Sequence, residues 1–322
     1  MMKYGVLNFS YDHFKAFQRQ HEEQGQYWVN LGDYMQTLAA LNIYQELGIS
    51  SADIVRIDRD RIRNYQGEPV MVLMNACFYE WCFPLPPSII PLFVGFQAKE
   101  PVIAQNIDAL KRYEPIGCRD LKTASLCKKY GINAIVTGCV TMTFSPRTST
   151  PTEPCVFLAY GSGVGEFPPD AFAQIPPALL SSLQLVYQRT PVYEFPLSPQ
   201  MMGHLEQQAR LLLEDYRSRA TLMITPLHHA ATPCLSAGIP TVMIRKKGDS
   251  RFGYLQKYIP IHLAPDYSQV NWAGDLPDMA ALKRKWLVAF KKAYVRLYQR
   301  DPVGFQPVPR QLQVSEISPK SG

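Results

Sequence analysis

Short apolar runs alternate with longer stretches of helical periodicity along most of the chain. Residues 3–8 read as a strand, and the polar stretch 10–26, dense in Gln, Glu and His, reads as a helix or a flap over a cleft. Over residues 34–47, Met35, Leu38, Ala39, Leu41, Ile43, Tyr44 and Leu47 recur at helical spacing, and Gly48 follows as a stop signal. Strands are expected at 54–57, 70–74 and 92–94, with a proline-rich loop at 84–91. A helix over 103–113, a strand at 115–118, a helix over 121–130 and a strand at 134–137 complete the first half. The second half repeats the style, with strands at 156–160, 221–224 and 241–244 and helices at 201–217, 230–236 and 279–300. Such strand–helix alternation predicts parallel sheets in an α/β fold. Residues 147–154 are rich in Thr, Ser and Pro and read as a linker, dividing the chain into Rossmann-like domains over 1–150 and 151–322. The tail from Pro302 is Pro- and Ser-rich and reads as loose. Two such halves place a ligand cleft at the carboxyl ends of their strands.

Composition narrows the classes. The 322 residues are 47% hydrophobic and 19% charged, which excludes disordered and collagen-like chains. A formal charge of +6 suits anionic substrates or a membrane surface, but no dense Lys/Arg stripe argues for nucleic acid. No apolar run approaches the ~20 residues of a membrane-spanning helix, and the opening residues read as a strand rather than a signal peptide. Seven cysteines without a CxxC pair point away from zinc knuckles and disulfide frameworks and towards a reducing cytoplasm.

Five segments carry candidate chemistry. Asn30-Leu31-Gly32-Asp33 opens a helix, where free N–H groups accept an anion or a hydroxyl-rich ligand and Gly32 permits close approach; the alternative is that Asp33 only caps the helix. In Gly117-Cys118-Arg119-Asp120, Arg119 suits bidentate grip of a phosphate or carboxylate, with Asp120 as a helix cap. Thr137-Gly138-Cys139-Val140-Thr141-Met142-Thr143 ends a strand, and Cys139 reads as a small packed residue rather than a nucleophile. Leu227-His228-His229-Ala230 starts a small-residue helix, a setting in which a His protonates a substrate or meets a phosphate oxygen. Zinc on His228 and His229 is disfavoured, since adjacent side chains rarely converge on one ion. The basic run Arg245 to Arg251 clamps an anionic donor or is simply a solvated loop.

These segments resemble, in order, the polysaccharide pyruvyl transferases. The resemblance rests on Gly-Asp-Tyr-Met-Gln from Gly32, Pro-Ile-Gly-Cys-Arg-Asp from Pro115, Thr-Gly-Cys-Val-Thr-Met-Thr from Thr137, Leu-His-His-Ala from Leu227 and Gly-Ile-Pro-Thr-Val from Gly238. It implies two Rossmann-like domains facing a cleft, as in glycosyltransferase-B enzymes. It also implies transfer of a pyruvyl group from phosphoenolpyruvate onto a sugar of a cell-surface glycan precursor, as a ketal. Neither a cofactor nor a metal is called for. The family's Arg-Leu-His triplet is matched at Leu227 and His228, but Pro226 stands where the Arg is expected. His228 is then the expected catalytic residue. Asn30, Gly32, Asp33, Arg119, Gly138, Leu227 and His229 are expected around the substrates, and Arg245 or, preferably, Arg251 supplies the missing cation. A glycosyltransferase using a nucleotide-sugar donor is the runner-up, and a non-catalytic sugar-binding protein the third reading. The helix over 279–300 is expected to pack across the domain junction. Its basic residues Lys283, Arg284, Lys285, Lys291, Lys292, Arg296 and Arg300 read first as a solvated face. Peripheral contact with anionic lipid, at the inner face of a membrane and near a lipid-linked acceptor, is the second reading.

Overall fold

The computed structural model describes residues 3–300, so the tail expected to be loose lies outside the described residues. The first half runs β1 (Lys3–Asn8), α1 (Lys15–Gln24), β2 (Tyr27–Asn30), α2 (Leu31–Glu46), β3 (Ile54–Asp58), β4 (Val70–Leu73), β5 (Cys77–Phe78), β6 (Ile89–Leu92) and β7 (Val94–Ala98). It continues through α3 (Glu100–Gln105), α4 (Ile107–Lys111), β8 (Ile116–Cys118), α5 (Leu121–Lys129) and β9 (Ala134–Val136). Two parallel sets form, in the orders β3-β1-β4-β6 and β5-β7-β8-β9. β4 runs on into β5 and β6 into β7, and hydrogen bonds from Met74 N–H to the Leu92 carbonyl and from Gln97 N–H to the Ala76 carbonyl, both 3.0 Å, extend the two pairings towards each other. β4 and β7 are buried throughout, as strands covered on both faces must be.

The second half runs β10 (Val156–Tyr160), α6 (Pro169–Phe172), α7 (Pro177–Leu180), β11 (Leu183–Tyr187), β12 (Arg189–Val192), α8 (Pro199–Arg219), β13 (Leu222–Thr225), α9 (His228–Ser236), β14 (Thr241–Arg245), β15 (Ile261–Leu263) and α10 (Met279–Arg300). A five-stranded parallel sheet has the order β11-β10-β13-β14-β15. The chain is thus α/β, with parallel sheets and flanking helices in a Rossmann-like arrangement. Two features tie the halves. β12 pairs antiparallel with β2, Arg189 opposite Asn30, and α2 packs along α8.

Several expectations shift by a physical cause. α2 starts at Leu31, not at 34, because the Asn30 side chain accepts the Gly32 N–H at 3.0 Å and is itself the N-cap. Asp33 is therefore inside the helix and is not its cap. The strand expected at 92–94 is two strands meeting at Phe93, and β6 takes the last residues of the proline-rich loop. The helix expected over 103–113 breaks at Asn106 into α3 and α4. β11 and β12 were not anticipated. β11 is an edge strand with Leu185 60% exposed, so its hydrophobic alternation is blurred.

α10 buries Trp286, Phe290 and Tyr294. It packs on β6, β7 and α9, and the Tyr294 hydroxyl lies 3.1 Å from that of Tyr4. Of the basic residues on this helix, Lys283 is tied to Glu46 at 2.6 Å, whereas Arg284, Lys285 and Lys292 are exposed. Among the described residues no helix is long and apolar enough to cross a membrane.

Candidate active site

A cavity of about 270 Å³ opens where the carboxyl ends of the two parallel systems meet. β1 and β3 lead into its first wall, through Tyr11 and Arg59. α2 contributes Asp33 and Gln36, and the turn after β8 contributes Arg119. The opposite wall is Pro226 to His229 at the start of α9, Arg245 at the end of β14, and Arg251 with Phe252 in the following turn. Phe14, Phe17 and Tyr79 make an aromatic side, and Gln188, between β11 and β12, and Arg189, the first residue of β12, close it.

Five arginines reach this pocket. Arg59 is 3% exposed; it grips the Asp60 carboxylate at 2.8 Å and 3.0 Å and stacks over Phe9, Phe14 and Tyr79. Arg251 binds Asp249 through Nε at 2.8 Å, and Arg245 approaches the same carboxylate at 3.6 Å. Arg119 donates to Gln36 Oε1 at 3.2 Å and Arg189 to the Trp28 carbonyl at 3.3 Å. Among the described residues neither of these two is in an ion pair. Five guanidinium groups against Asp33, Asp60 and Asp249 leave two positive charges in excess. A surplus of positive charge of this kind favours a multiply charged anion over a neutral or cationic ligand.

The histidines sit in the first turn of α9. Thr225 sets that turn: its hydroxyl donates to the Ala159 carbonyl at 2.7 Å and accepts the Leu227 N–H at 3.0 Å. Burial, then Arg119, Arg251 and Arg245, push His228 down to about 3 against a small opposing effect of Asp249. Burial and the neighbouring His228 likewise hold His229 well below the usual imidazole range. Both shifts favour the neutral imidazole. His228 Nδ1 is buried with no hydrogen-bond partner. The Phe252 ring lies between His228, at 5.4 Å, and the Arg245 guanidinium, at 4.0 Å.

Asp33 accepts a hydrogen bond from the Tyr11 hydroxyl at 3.0 Å. Burial raises its pKa, and Arg59, Tyr11, Arg119 and Arg189 oppose the rise without cancelling it.

The expected residues divide by position. Asn30, Asp33, Arg119, Leu227, His228, His229, Arg245 and Arg251 line one pocket. Gly32 and Gly138 do not. A Cβ on Gly32 would lie 2.7 Å from His229 Cβ, so this glycine admits α9 against α2 rather than a ligand. Gly138, at φ +81°, has Tyr254 over it, with 2.6 Å to a built Cβ. Arg245 lies beside the position where the triplet's Arg was expected: its Nη1 donates to the Pro226 carbonyl. Arg251, preferred from the sequence, lines the same pocket and is paired with Asp249. The adjacent histidines, expected to diverge, have perpendicular rings 5.1 Å apart. One ring nitrogen of each lies with Cys139 Sγ inside a 4.8 Å sphere of mutual distances.

Sequence reading missed Arg59, Arg189, Tyr11 and Gln36. Arg59 carried a usable signal: it follows a strand directly, at the end where α/β proteins bind ligands. Arg189 carried none, because β11 before it was not recognised.

Fold and site together define an α/β protein with an arginine-rich pocket. No known family profile and no curated protein sequence matches the chain. Among solved structures, it is similar to an uncharacterized protein from Klebsiella pneumoniae, at 12% identity and a TM-score of 0.44, over 82% of this chain and 93% of that one. It is also similar to a structure of accessory secretory proteins 1, 2 and 3 from Streptococcus pneumoniae, at 10% identity and a TM-score of 0.34, over 86% of this chain and 55% of that one.

Proposed function

We propose that the chain is a transferase of the polysaccharide pyruvyl transferase type, moving a pyruvyl group from phosphoenolpyruvate onto a sugar of a glycan precursor. The observation that carries this reading is the convergence of Arg119, Arg245 and Arg251 on His228 in the first turn of α9. Phosphoenolpyruvate brings a carboxylate and a phosphate, which match the surplus of positive charge. The donor phosphate faces Arg245, Arg251 and the N-terminus of α9, and Arg119 takes the carboxylate as a fork.

Bringing this anion beside His228 reverses the repulsion that keeps the ring neutral. His228 then delivers a proton to the vinyl carbon, turning it into a methyl group. One sugar hydroxyl bonds to the adjacent carbon, the bond from that carbon to the phosphate oxygen breaks, and a second hydroxyl of the same sugar closes the ketal. Of the two hydroxyl protons, one returns to His228 and one leaves with the phosphate. The arginines stabilise the leaving dianion. The finer architecture of this reading is two Rossmann-like domains in a glycosyltransferase-B-like arrangement, joined near residues 147–154. Its seven cysteines are free thiols, which suits a reducing cytoplasm.

A nucleotide-sugar-dependent glycosyltransferase is the second reading. The aromatic wall of Phe14, Phe17 and Tyr79 favours it, as a surface on which a base stacks. The cavity of about 270 Å³ lies at the small end of ligand pockets and favours the smaller donor. Incubation with sugar acceptors and either donor class, read by mass spectrometry, separates the two. A pyruvate ketal is expected; hexose addition with nucleotide sugars alone would transfer the assignment to the second reading.

A further inference from the structure

We propose that Cys139, His228 and His229 form a binding site for one soft divalent cation of the zinc type at the inner end of the pocket. This goes beyond the transferase reading and does not depend on which donor the pocket takes.

The three residues come from separate places. Cys139 opens the turn after β9, and the histidines begin α9. Gly32, by lacking a Cβ, lets His229 settle against α2. His229 Nε2 then lies 3.7 Å from Cys139 Sγ. Tetrahedral zinc, with bonds of about 2.3 Å to sulfur and about 2.1 Å to nitrogen, sets these two atoms about 3.6 Å apart. The pair is thus already spaced as two corners of such a site. The widest of the three separations is within 4.8 Å, so closure on an ion asks for about 1 Å of ring movement.

The chemistry of the set agrees. A thiolate and two imidazoles select zinc-like ions over magnesium or calcium, which take oxygen. Cys139 is fully buried but not isolated: Thr141 Oγ1 lies 3.1 Å and Asn75 Nδ2 3.8 Å from its sulfur. These groups are placed to hold a thiolate from outside the coordination sphere. His228 Nδ1 is buried without a partner among the described residues, so this ring has a nitrogen that no protein group satisfies. As the sulfur–metal bond forms, the thiol proton passes to solvent and no electron is transferred. The fourth corner faces the pocket and takes water or an anionic ligand. Arg119, Arg245 and Arg251 oppose a bare cation, but they favour an anion in that fourth position. A metal here occupies His228, so it competes with proton transfer.

Cobalt(II) titration of the full chain tests the site. The expected result is one equivalent bound, with a thiolate-to-cobalt charge-transfer band and the strong visible bands of four-coordination, displaced by zinc. Cys139→Ser should abolish the charge-transfer band. His229→Gln should weaken cobalt binding beyond the roughly 10–100-fold that loss of an outer-shell partner costs. The melting temperature of each variant shows whether it is folded, and the two variants report independently. No binding, binding without a thiolate band, or an unchanged band in Cys139→Ser would overturn the site. Donor transfer is read separately, by the product assay without added metal.

Discussion

His228→Ala is expected to lower turnover by roughly 10²–10⁴-fold, the range for loss of a positioned acid or base. The ring lies in the first turn of α9, facing the same pocket as Arg119, Arg245 and Arg251. It is only partly buried as a residue, so its removal widens the pocket rather than hollowing the core. The loss should therefore fall on kcat, with the melting temperature little changed. His229 has a different neighbourhood, Gly32 and Cys139, and His229→Ala should cost turnover less. Single-turnover kinetics with saturating donor check this. Near-normal turnover of His228→Ala with both donor classes would remove His228 from the chemistry.

Arg59→Met should destabilise the fold by about 3–5 kcal/mol, the cost of stranding a buried partner charge. Asp60 is 1% exposed, and three guanidinium contacts of 2.8 Å, 3.0 Å and 3.1 Å offset its loss of water. After substitution only the Tyr11 N–H at 2.9 Å and Trp81 Nε1 at 3.2 Å still reach its oxygens from neighbouring segments. Removing both charges in Arg59→Met/Asp60→Asn should recover much of the loss, because neither side is then left charged and unpaired. Denaturant midpoints at constant m measure both. A double variant no more stable than the single would show that the arginine acts by packing on Phe9, Phe14 and Tyr79 rather than by its charge.

The α/β class was legible because parallel strands buried on both faces read as continuous apolar runs. β4 and β14 are buried at every position, and both were located to within a residue or two. Edge and bridging strands were not legible. β12 contains Pro191 and pairs with β2 across the two halves, a contact that no local pattern encodes. The same limit governed the site. His228 and Arg119 each sit at the turn of a recognisable strand–turn–helix unit, and both line the pocket. Cys139 is 90 residues from His229, and its place beside that ring depends on how α9 meets α2. Gly32 and Gly138 were read as approach points for a ligand, whereas protein side chains occupy both approaches. A glycine marks where something comes close, and the sequence does not say what.

The central claim is that this pocket holds a small, multiply charged donor through Arg119, Arg245 and Arg251. Calorimetric titration with phosphoenolpyruvate tests it most directly. Saturable one-site binding is expected, weakened in Arg119→Lys by loss of the fork, with an unchanged melting temperature. Absence of binding to phosphoenolpyruvate, with saturable binding of a nucleotide sugar, would contradict it.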